Sequence, residues 1–325
     1  MAEIIKNLKA SGILGRSGSA FPVGQKWQLV KEEKANKKYI VCNAASGEPY
    51  VLKDEYILDN YAQEVIKGIE IALETINNSS AYIYLRKDFY QKFKNKLLGL
   101  TKNLPVKLIK KPGGYLSGEE TSLCQAIEGK RPEPRLKPPF PTEKGLFNCP
   151  TLINNVETFY YVAKIAAGKY DQTRFYTVNG QAKHKGVYCL PLDWTIEKVM
   201  KETGNWPAFD FFVQVGGGAS GEIMVKQELK KNKVSGPGAI IIYNKEKINP
   251  FKLMVKWADF FMKENCDKCV PCREGVYQIK QIVKKGQLNK KKLNDLDFIL
   301  RQTSFCGLGK IASKPFMGLI NKVIK

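Results

Sequence analysis

Close to the C-terminus the chain reads Cys266-Asp267-Lys268-Cys269-Val270-Pro271-Cys272, and a fourth cysteine follows at Cys306. Three thiols at i, i+3 and i+6 can face one point from a single tight turn, so the fold of this region must bring the distant Cys306 to them. That is the ligand spacing of a 4Fe-4S cluster, with three ligands local and the fourth remote. A structural zinc held by four thiolates is the alternative, although zinc sites commonly pair two Cys-x-x-Cys knuckles instead of using one triple run. On the cluster reading the chain carries electrons.

The other cysteines, Cys42, Cys124, Cys149 and Cys189, are scattered among apolar neighbours, which suits a reducing compartment better than a disulfide framework. The charged N-terminus Met1-Ala2-Glu3-Ile4-Ile5-Lys6 lacks an apolar core, and no apolar run approaches about 18 residues, the longest being near Ala239 to Tyr243. These features predict neither secretion nor direct membrane insertion: the chain is expected in the cytoplasm, or peripheral at the inner face of the membrane through a complex. With 325 residues, 43% of them hydrophobic, it can bury two or three cores.

Net charge is +22, yet only seven of the 53 basic residues are arginine. A nucleic-acid reader enriches arginine for bidentate contacts, so no nucleic acid is expected, and a basic face for an acidic protein partner is favoured. The single histidine, His184, lies between two lysines. Its isolation removes histidine acid–base catalysis, Rieske-type ligation and histidine-paired zinc fingers.

Residues 38–43 read as a buried strand, 54–76 as one long helix, 81–85 as a strand, 89–102 as a basic helix and 106–109 as a third strand. This alternation predicts an α/β domain with parallel strands and ligands at their carboxyl ends, where Asn43 and the Gly113 to Gly118 segment fall. From Arg174 to Tyr243 short strands (175–178, 186–190, 211–215, 239–243) surround one helix near 195–203, a small α+β module. After Pro250 four helices are expected, over 251–263, 273–284, 291–302 and 315–324, and they can cage a cluster.

Gly15-Arg16-Ser17-Gly18-Ser19-Ala20-Phe21-Pro22-Val23-Gly24-Gln25-Lys26-Trp27 is a glycine-rich loop with a cation at each end; it is either a phosphate cradle completed by Arg16 or Lys26, or a plain turn cluster. Ser117-Gly118-Glu119-Glu120 opens a helix, and Ser-x-x-Glu is a capping box, which leaves Glu119 without a structural task and facing a ligand. Lys137-Pro138-Pro139-Phe140-Pro141 is stiff; as a polyproline segment it presents Phe140 for stacking, or is only a rigid loop. Asn154-Asn155-Val156-Glu157-Thr158 begins a helix with two amides, which either cap it or meet a ligand.

Taken in order, these segments resemble the flavin-carrying NADH-dehydrogenase subunit of respiratory complex I, the 51 kDa subunit, and its relatives in NAD-linked hydrogenases and formate dehydrogenases. The likeness spans nearly the whole chain, through Gly15 to Trp27, Cys42 to Asp54, Gly114 to Thr121, Glu128 to Pro141, Asn154 to Thr158, Glu264 to Gly275 and Cys306 to Gly309. It implies a Rossmann-like FMN- and NADH-binding α/β domain over 1–170, a ubiquitin-like β-grasp module over 171–246 and a C-terminal four-helix bundle over 247–325 holding the 4Fe-4S cluster.

The resemblance further implies an FMN site of Gly15, Arg16, Gly18, Lys26, Asn43, Tyr115, Gly118, Glu119, Asn154 and Asn155. NADH is to stack its adenine on Phe21 and Phe140, with Glu48, Glu119, Glu120 and Lys137 around the nucleotide; Cys266, Cys269, Cys272 and Cys306 are the cluster ligands. A flavin mediates between a two-electron hydride and one-electron clusters, so no protein acid or base is required. Only 14 residues precede the glycine loop and no further carrier domain is fused, so the expected partners are a thioredoxin-like 2Fe-2S subunit and a larger iron–sulfur, hydrogenase or complex I-type subunit.

The chain departs from that family at several places. Where the family reads Asn-Ala-Asp-Glu-x-Glu-Pro-Gly, this chain reads Asn43-Ala44-Ala45-Ser46-Gly47-Glu48-Pro49-Tyr50, so two carboxylates beside the flavin and nucleotide are missing. Ser17, Ser19 and Ala20 replace Gly, Ala and Gly, and Leu29 replaces an adenine-stacking Phe. Loss of the acid at 46 is expected to relax discrimination against NADPH, while Glu120 still opposes its extra phosphate. The alternatives are an iron–sulfur relay or scaffold with a degenerate flavin pocket, and a zinc-bearing basic nucleic-acid binder.

Overall fold

A computed structural model describes residues 2–286 and 288–324. The chain divides into two compact units: one runs up to Gly47 and resumes over Leu52–Thr173, and the other takes Glu48–Val51 and the chain from Arg174 onward.

The first unit opens with two helices that the periodicity did not single out, α1 (Ala2–Ala10) and α2 (Val23–Glu32), packed on each other. Strand β1 (Lys38–Ala44) is buried along most of its length, as a strand covered on both faces requires. The helix expected over 54–76 is two, α3 (Lys53–Asn60) and α4 (Ala62–Thr75). They break at Tyr61, whose backbone leaves the helical region (φ −134°, ψ 30°) while its ring packs on Tyr160. Then come β2 (Ser79–Leu85), α5 (Lys87–Leu100), β3 (Val106–Lys110), α6 (Glu120–Ile127), a short α7 (Pro141–Lys144), β4 (Thr151–Asn155) and α8 (Val156–Ala166).

All three strand pairings are parallel, in the order β3-β2-β1-β4. The chain leaves β1 toward β2 and β3, then crosses to the other side for β4. The topological switch point therefore lies between the carboxyl ends of β1 and β4, where open α/β sheets bind ligands.

Helices α4 and α8 cover this sheet and approach so closely that a Cβ on Gly68 would lie 2.1 Å from the Phe159 carbonyl oxygen. Gly68→Ala is expected to cost about 3 kcal/mol through forced separation of the two helices. Denaturant unfolding should show a lower midpoint at unchanged slope; a midpoint equal to the parent's would mean that the helices separate freely there.

In the second unit, β5 (Thr173–Gly180), β6 (Gly186–Pro191), β7 (Phe211–Gly216), β8 (Glu222–Val225) and β9 (Ala239–Asn244) form one sheet in the order β6-β5-β9-β7-β8. β5 and β9 are parallel, whereas β7 runs antiparallel to both β8 and β9. Helix α9 (Ile196–Glu202) buries Ile196, Val199 and Met200 against Tyr176, Val213, Ile240 and Ile242 of the sheet. Five helices follow: α10 (Pro250–Glu264), α11 (Val270–Lys284), α12 (Lys290–Thr303), the short unforeseen α13 (Gly307–Ile311) and α14 (Lys314–Lys322). α14 lies on β8, where Lys322 Nζ donates to the Ile223 carbonyl at 2.9 Å and pairs with Glu228. No helix among the described residues is long and apolar enough to cross a membrane.

Candidate functional site

The carboxyl edge of the parallel sheet gathers most of the expected pocket residues. Asn43 and Asn155 are register partners at the ends of β1 and β4, directly at the switch point. Asn43 Nδ2 donates to the Gly118 carbonyl at 2.9 Å, and its Oδ1 accepts from the Ala45 amide. Tyr115 and Gly118 belong to the turn before α6, closed by Gly118 N–H donating to the Tyr115 carbonyl. Asn154 is buried on β4; with its amide oriented to satisfy both ends, its oxygen accepts from Trp27 Nε1 at 2.9 Å. Lys26 reaches the same edge from α2, its Nζ donating to the Ile153 carbonyl at 3.3 Å. Burial lowers the Lys26 pKa, and the neighbouring Lys137 adds to this against the opposing pull of Glu120.

Glu119, expected to face a ligand without structural duty, is the N-cap of α6: its Oε2 accepts from the amides of Thr121 (2.8 Å) and Ser122 (2.9 Å). The capping box anticipated for Ser117 and Glu120 does not form, because the helix begins two residues later than the motif suggested and Ser117 lies in a 3-10 turn. The other oxygen of Glu119 and the carboxylate of Glu120 both accept from Lys137 Nζ, at 2.8 and 2.6 Å. Arg135 pins that segment, bonding Glu128 and the Gly145 carbonyl at 2.7 and 2.6 Å. The Lys137-Pro138 and Pro138-Pro139 bonds are both cis, so the segment is not the extended polyproline helix expected. Phe140 nevertheless stands 49% exposed at the start of α7, and Phe21, 36% exposed, stands just before α2, the helix that packs on α7. Leu29 lines a groove of about 580 Å³ with Leu8, Leu14, Pro22 and Gln28.

The glycine loop closes through Gly15 N–H donating to the Phe21 carbonyl at 2.9 Å. A Cβ at Gly18 would meet nothing within 4 Å, so the loop faces open space there. Ala20 sits at φ 47°, a left-handed backbone that favours glycine. Ala20→Gly is accordingly expected to stabilise the protein by about 0.5–1 kcal/mol by removing left-handed strain, visible as a raised melting temperature; an unchanged or lower one would mean that Ala20 is not strained.

Two expected residues are engaged elsewhere. The Arg16 guanidinium turns into the unit, donating to Tyr170 Oη and the Thr173 carbonyl at 3.1 and 3.3 Å, 4.0 Å from Glu157. Glu48 belongs to the second unit, where its Oε1 accepts from the amides of Ala219 and Ser220, both at 3.0 Å.

Beneath Asn155 lies a network that sequence reading missed. Lys53 Nζ contacts Asp54 Oδ1 at 2.8 Å, Glu157 Oε2 at 2.9 Å and Asn155 Oδ1 at 3.0 Å, and Asn155 Nδ2 donates to Asp54 Oδ2 at 2.9 Å. All three charged side chains are at least 98% buried. The available signal was weak: only Glu157 stands as a lone charge in its quoted motif, Asn154 to Thr158, while Lys53 and Asp54 lie beside Glu55 in a run of charged residues.

Of the four C-terminal cysteines, Cys272 is buried in the first turn of α11, Cys269 caps that helix, Cys306 caps α13 and Cys266 follows α10. Burial first, then the charges of Cys269, Cys306 and Cys266, push the Cys272 thiol up to about 12. The four sulfurs are thus close enough to feel one another, although among the described residues no three His, Cys, Asp or Glu side chains are close enough to bind a single ion. A cubane seats each thiolate on a different iron, so the donor set fits it. Asp267 takes a left-handed backbone (φ 59°) to turn between the first two cysteines, and a Cβ on Gly309 would lie 3.1 Å from that of Cys272, so this glycine lets α13 approach.

Comparison with known proteins bears on both regions. Residues 8–164 match the Nuo51 FMN-binding domain, and residues 252–323 match the NADH-ubiquinone oxidoreductase-F iron–sulfur binding region. The chain is 32% identical to the F subunit of the NADH-quinone oxidoreductase of Aquifex aeolicus, covering 98% of this chain and 84% of that protein. It is 31% identical to the alpha subunit of the NAD-reducing hydrogenase HoxS of Cupriavidus necator, with 98% of this chain against 59% of the relative. A crystal structure of an NAD+-reducing NiFe hydrogenase superposes with a TM-score of 0.90 at 27% identity, over 98% of this chain and 61% of that one. The chain thus spans about three fifths of the hydrogenase subunits it matches.

Fold and site define a two-cofactor protein, with an FMN-binding domain and an iron–sulfur-binding region. The chain belongs to the family formed by the F subunits of NADH-quinone oxidoreductases.

Proposed function

We propose that this chain is the NADH-oxidising flavoprotein subunit of a complex I-like or hydrogenase assembly, taking hydride from NADH onto FMN and passing single electrons through a 4Fe-4S cluster to a partner iron–sulfur subunit. The observation that carries this reading is the meeting of Asn43, Asn155, Gly118 and the half-buried Lys26 at the sheet's switch point, within a family whose matched domain binds FMN. FMN, when bound, supplies the exchange between a two-electron hydride and one-electron transfers.

The glycine loop, closed by the Gly15 amide and open at Gly18, brings backbone to the flavin phosphate, and the Lys26 ammonium supplies the positive charge. Asn43, Tyr115, Gly118, Glu119, Asn154 and Asn155 orient the ring; the part of Arg16 is to hold the loop from below, since its guanidinium is already engaged. Phe21 and Phe140 offer exposed faces for the adenine, and Lys137 holds Glu119 and Glu120 in fixed geometry around the nucleotide.

Cys266, Cys269, Cys272 and Cys306 would hold the cluster as thiolates, and the cluster would supply one-electron transfer. In the second unit the mixed sheet with α9 reads as a ubiquitin-like β-grasp module over 171–246, and 247–325 as a four-helix bundle extended by α13; residues 1–170 form the Rossmann-like domain. The partners are a thioredoxin-like 2Fe-2S subunit and a larger iron–sulfur, hydrogenase or complex I-type subunit, in the cytoplasm or at the inner face of the membrane.

The test is anaerobic reconstitution with FMN, iron and sulfide, followed by cofactor analysis. About one FMN and about four irons per chain are expected, with FMN binding weakened roughly tenfold in Lys26→Ala by loss of one charge-assisted contact. Iron and sulfide without flavin would leave an electron relay, and zinc in their place would end the reading.

A further inference from the structure

The two carboxylates missing at Ala45 and Ser46 are matched by a cation the family resemblance does not supply. Lys111 follows β3, held there by its amide donating to the Leu85 carbonyl at 2.8 Å. Its side chain is only 5% exposed and turns into the carboxyl edge of the sheet, where Nζ donates to the carbonyl of Ala45 at 3.2 Å. Cβ atoms added to Gly47 and Gly118 would lie 3.7 and 3.8 Å from that nitrogen. The ammonium is therefore lodged between the turn that follows Asn43 and the turn that carries Gly118, the same two turns that Asn43 ties together.

Resting on the FMN reading above, we infer that Lys111 is an electrostatic determinant of the flavin's reduction potential, a buried positive charge at the ring's bed that favours the reduced over the oxidised cofactor. The charge balance is simple. NADH gives up a hydride, two electrons with one hydrogen nucleus, and leaves as NAD+; the ring gains one negative charge and later returns the electrons singly to the iron–sulfur acceptor and the proton to solvent. A fixed cation in a poorly hydrated site stabilises the state carrying the extra negative charge, and no side-chain carboxylate stands at 45 or 46 to offset it. A lysine whose buried ammonium meets the Ala45 carbonyl beside Gly47 and Gly118 is placed by the fold rather than by its own preference for solvent.

The experiment is a spectroelectrochemical titration of the FMN-loaded protein against Lys111→Gln, whose amide can still donate to the Ala45 carbonyl, and Lys111→Arg, which keeps the charge. Lys111→Gln should lose about tenfold in its preference for reduced over oxidised FMN, a midpoint lower by about 30 mV for a two-electron couple; Lys111→Arg should stay near the parent. Ser46→Asp, at a half-buried position one residue from the carbonyl that Lys111 binds, should lower the midpoint in the same direction without removing the lysine. It gives the same readout if Lys111→Gln does not retain flavin. Equal midpoints in the parent and every neutralising variant that holds FMN overturn the role of Lys111 while leaving the flavin reading intact. A parent chain that binds no FMN overturns both.

Discussion

Lys53→Met is expected to lower the unfolding free energy by about 3–5 kcal/mol, the cost of leaving buried charge without its partner. Among the described residues its ammonium is the only cation within 3 Å of Asp54 and Glu157, which are 2% and 0% exposed, and it also bonds Asn155 at the switch point. Methionine fills similar space but takes the ammonium from both buried carboxylates, while the Arg16 guanidinium stays 4.0 Å from Glu157. Burial alone would depress the lysine, but Asp54 and then Glu157 outweigh it and raise its pKa above the ordinary 10.5. A group raised on folding stabilises fully below its unfolded pKa and loses that contribution only as pH climbs through the folded value. The deficit of Lys53→Met should therefore be constant from about pH 6 to about pH 9 and shrink only in alkali. Denaturant melts across that range check it; a deficit under about 1 kcal/mol at neutral pH would show that the network is solvated.

The second large effect is expected from Cys272→Ser. Cys272 is the most buried of the four thiols and sits where α11 begins, with Gly309 bringing α13 against it. A serine hydroxyl is a poor ligand for iron, so iron and sulfide content should fall to a small fraction of the parent while bound FMN is retained. NADH-driven reduction of a one-electron protein acceptor should then drop by about 100-fold or more, the scale of losing an obligatory carrier, with hydride transfer to the flavin still visible as loss of its colour. Full iron content in this variant would remove Cys272 from the ligand set.

What could be read before any coordinates was the chemistry carried by spacing. The glycine loop, β1 and the position of Asn43 at a strand end stand in the structure where their patterns placed them. Less visible was anything decided by tertiary burial. Lys53 and Lys111 look like every other lysine in a chain whose basic charge is nearly all lysine, and only the fold reveals that one neutralises two buried acids and the other lines a sheet edge. Glu119 and Ser117 compete for one cap, and local preference favoured serine; the turn at Tyr115 to Gly118 delays the helix and hands the cap to glutamate. β4 is five residues long and ends in two asparagines, too short and too polar for its period to register, yet its parallel pairing with β1 creates the switch point. Glu48 lies five residues from Asn43 and belongs to the other unit, a separation no linear motif expresses.

The central claim, that NADH reduces a flavin that in turn feeds a thiolate-held cluster in this one chain, is tested most directly by anaerobic NADH titration of the reconstituted protein under an optical and paramagnetic readout. The account predicts that flavin colour bleaches and a reduced iron–sulfur signal grows in from the same sample, both abolished together when FMN is omitted. A flavin that NADH does not bleach, or a cluster that stays oxidised beside a bleached flavin, would contradict it.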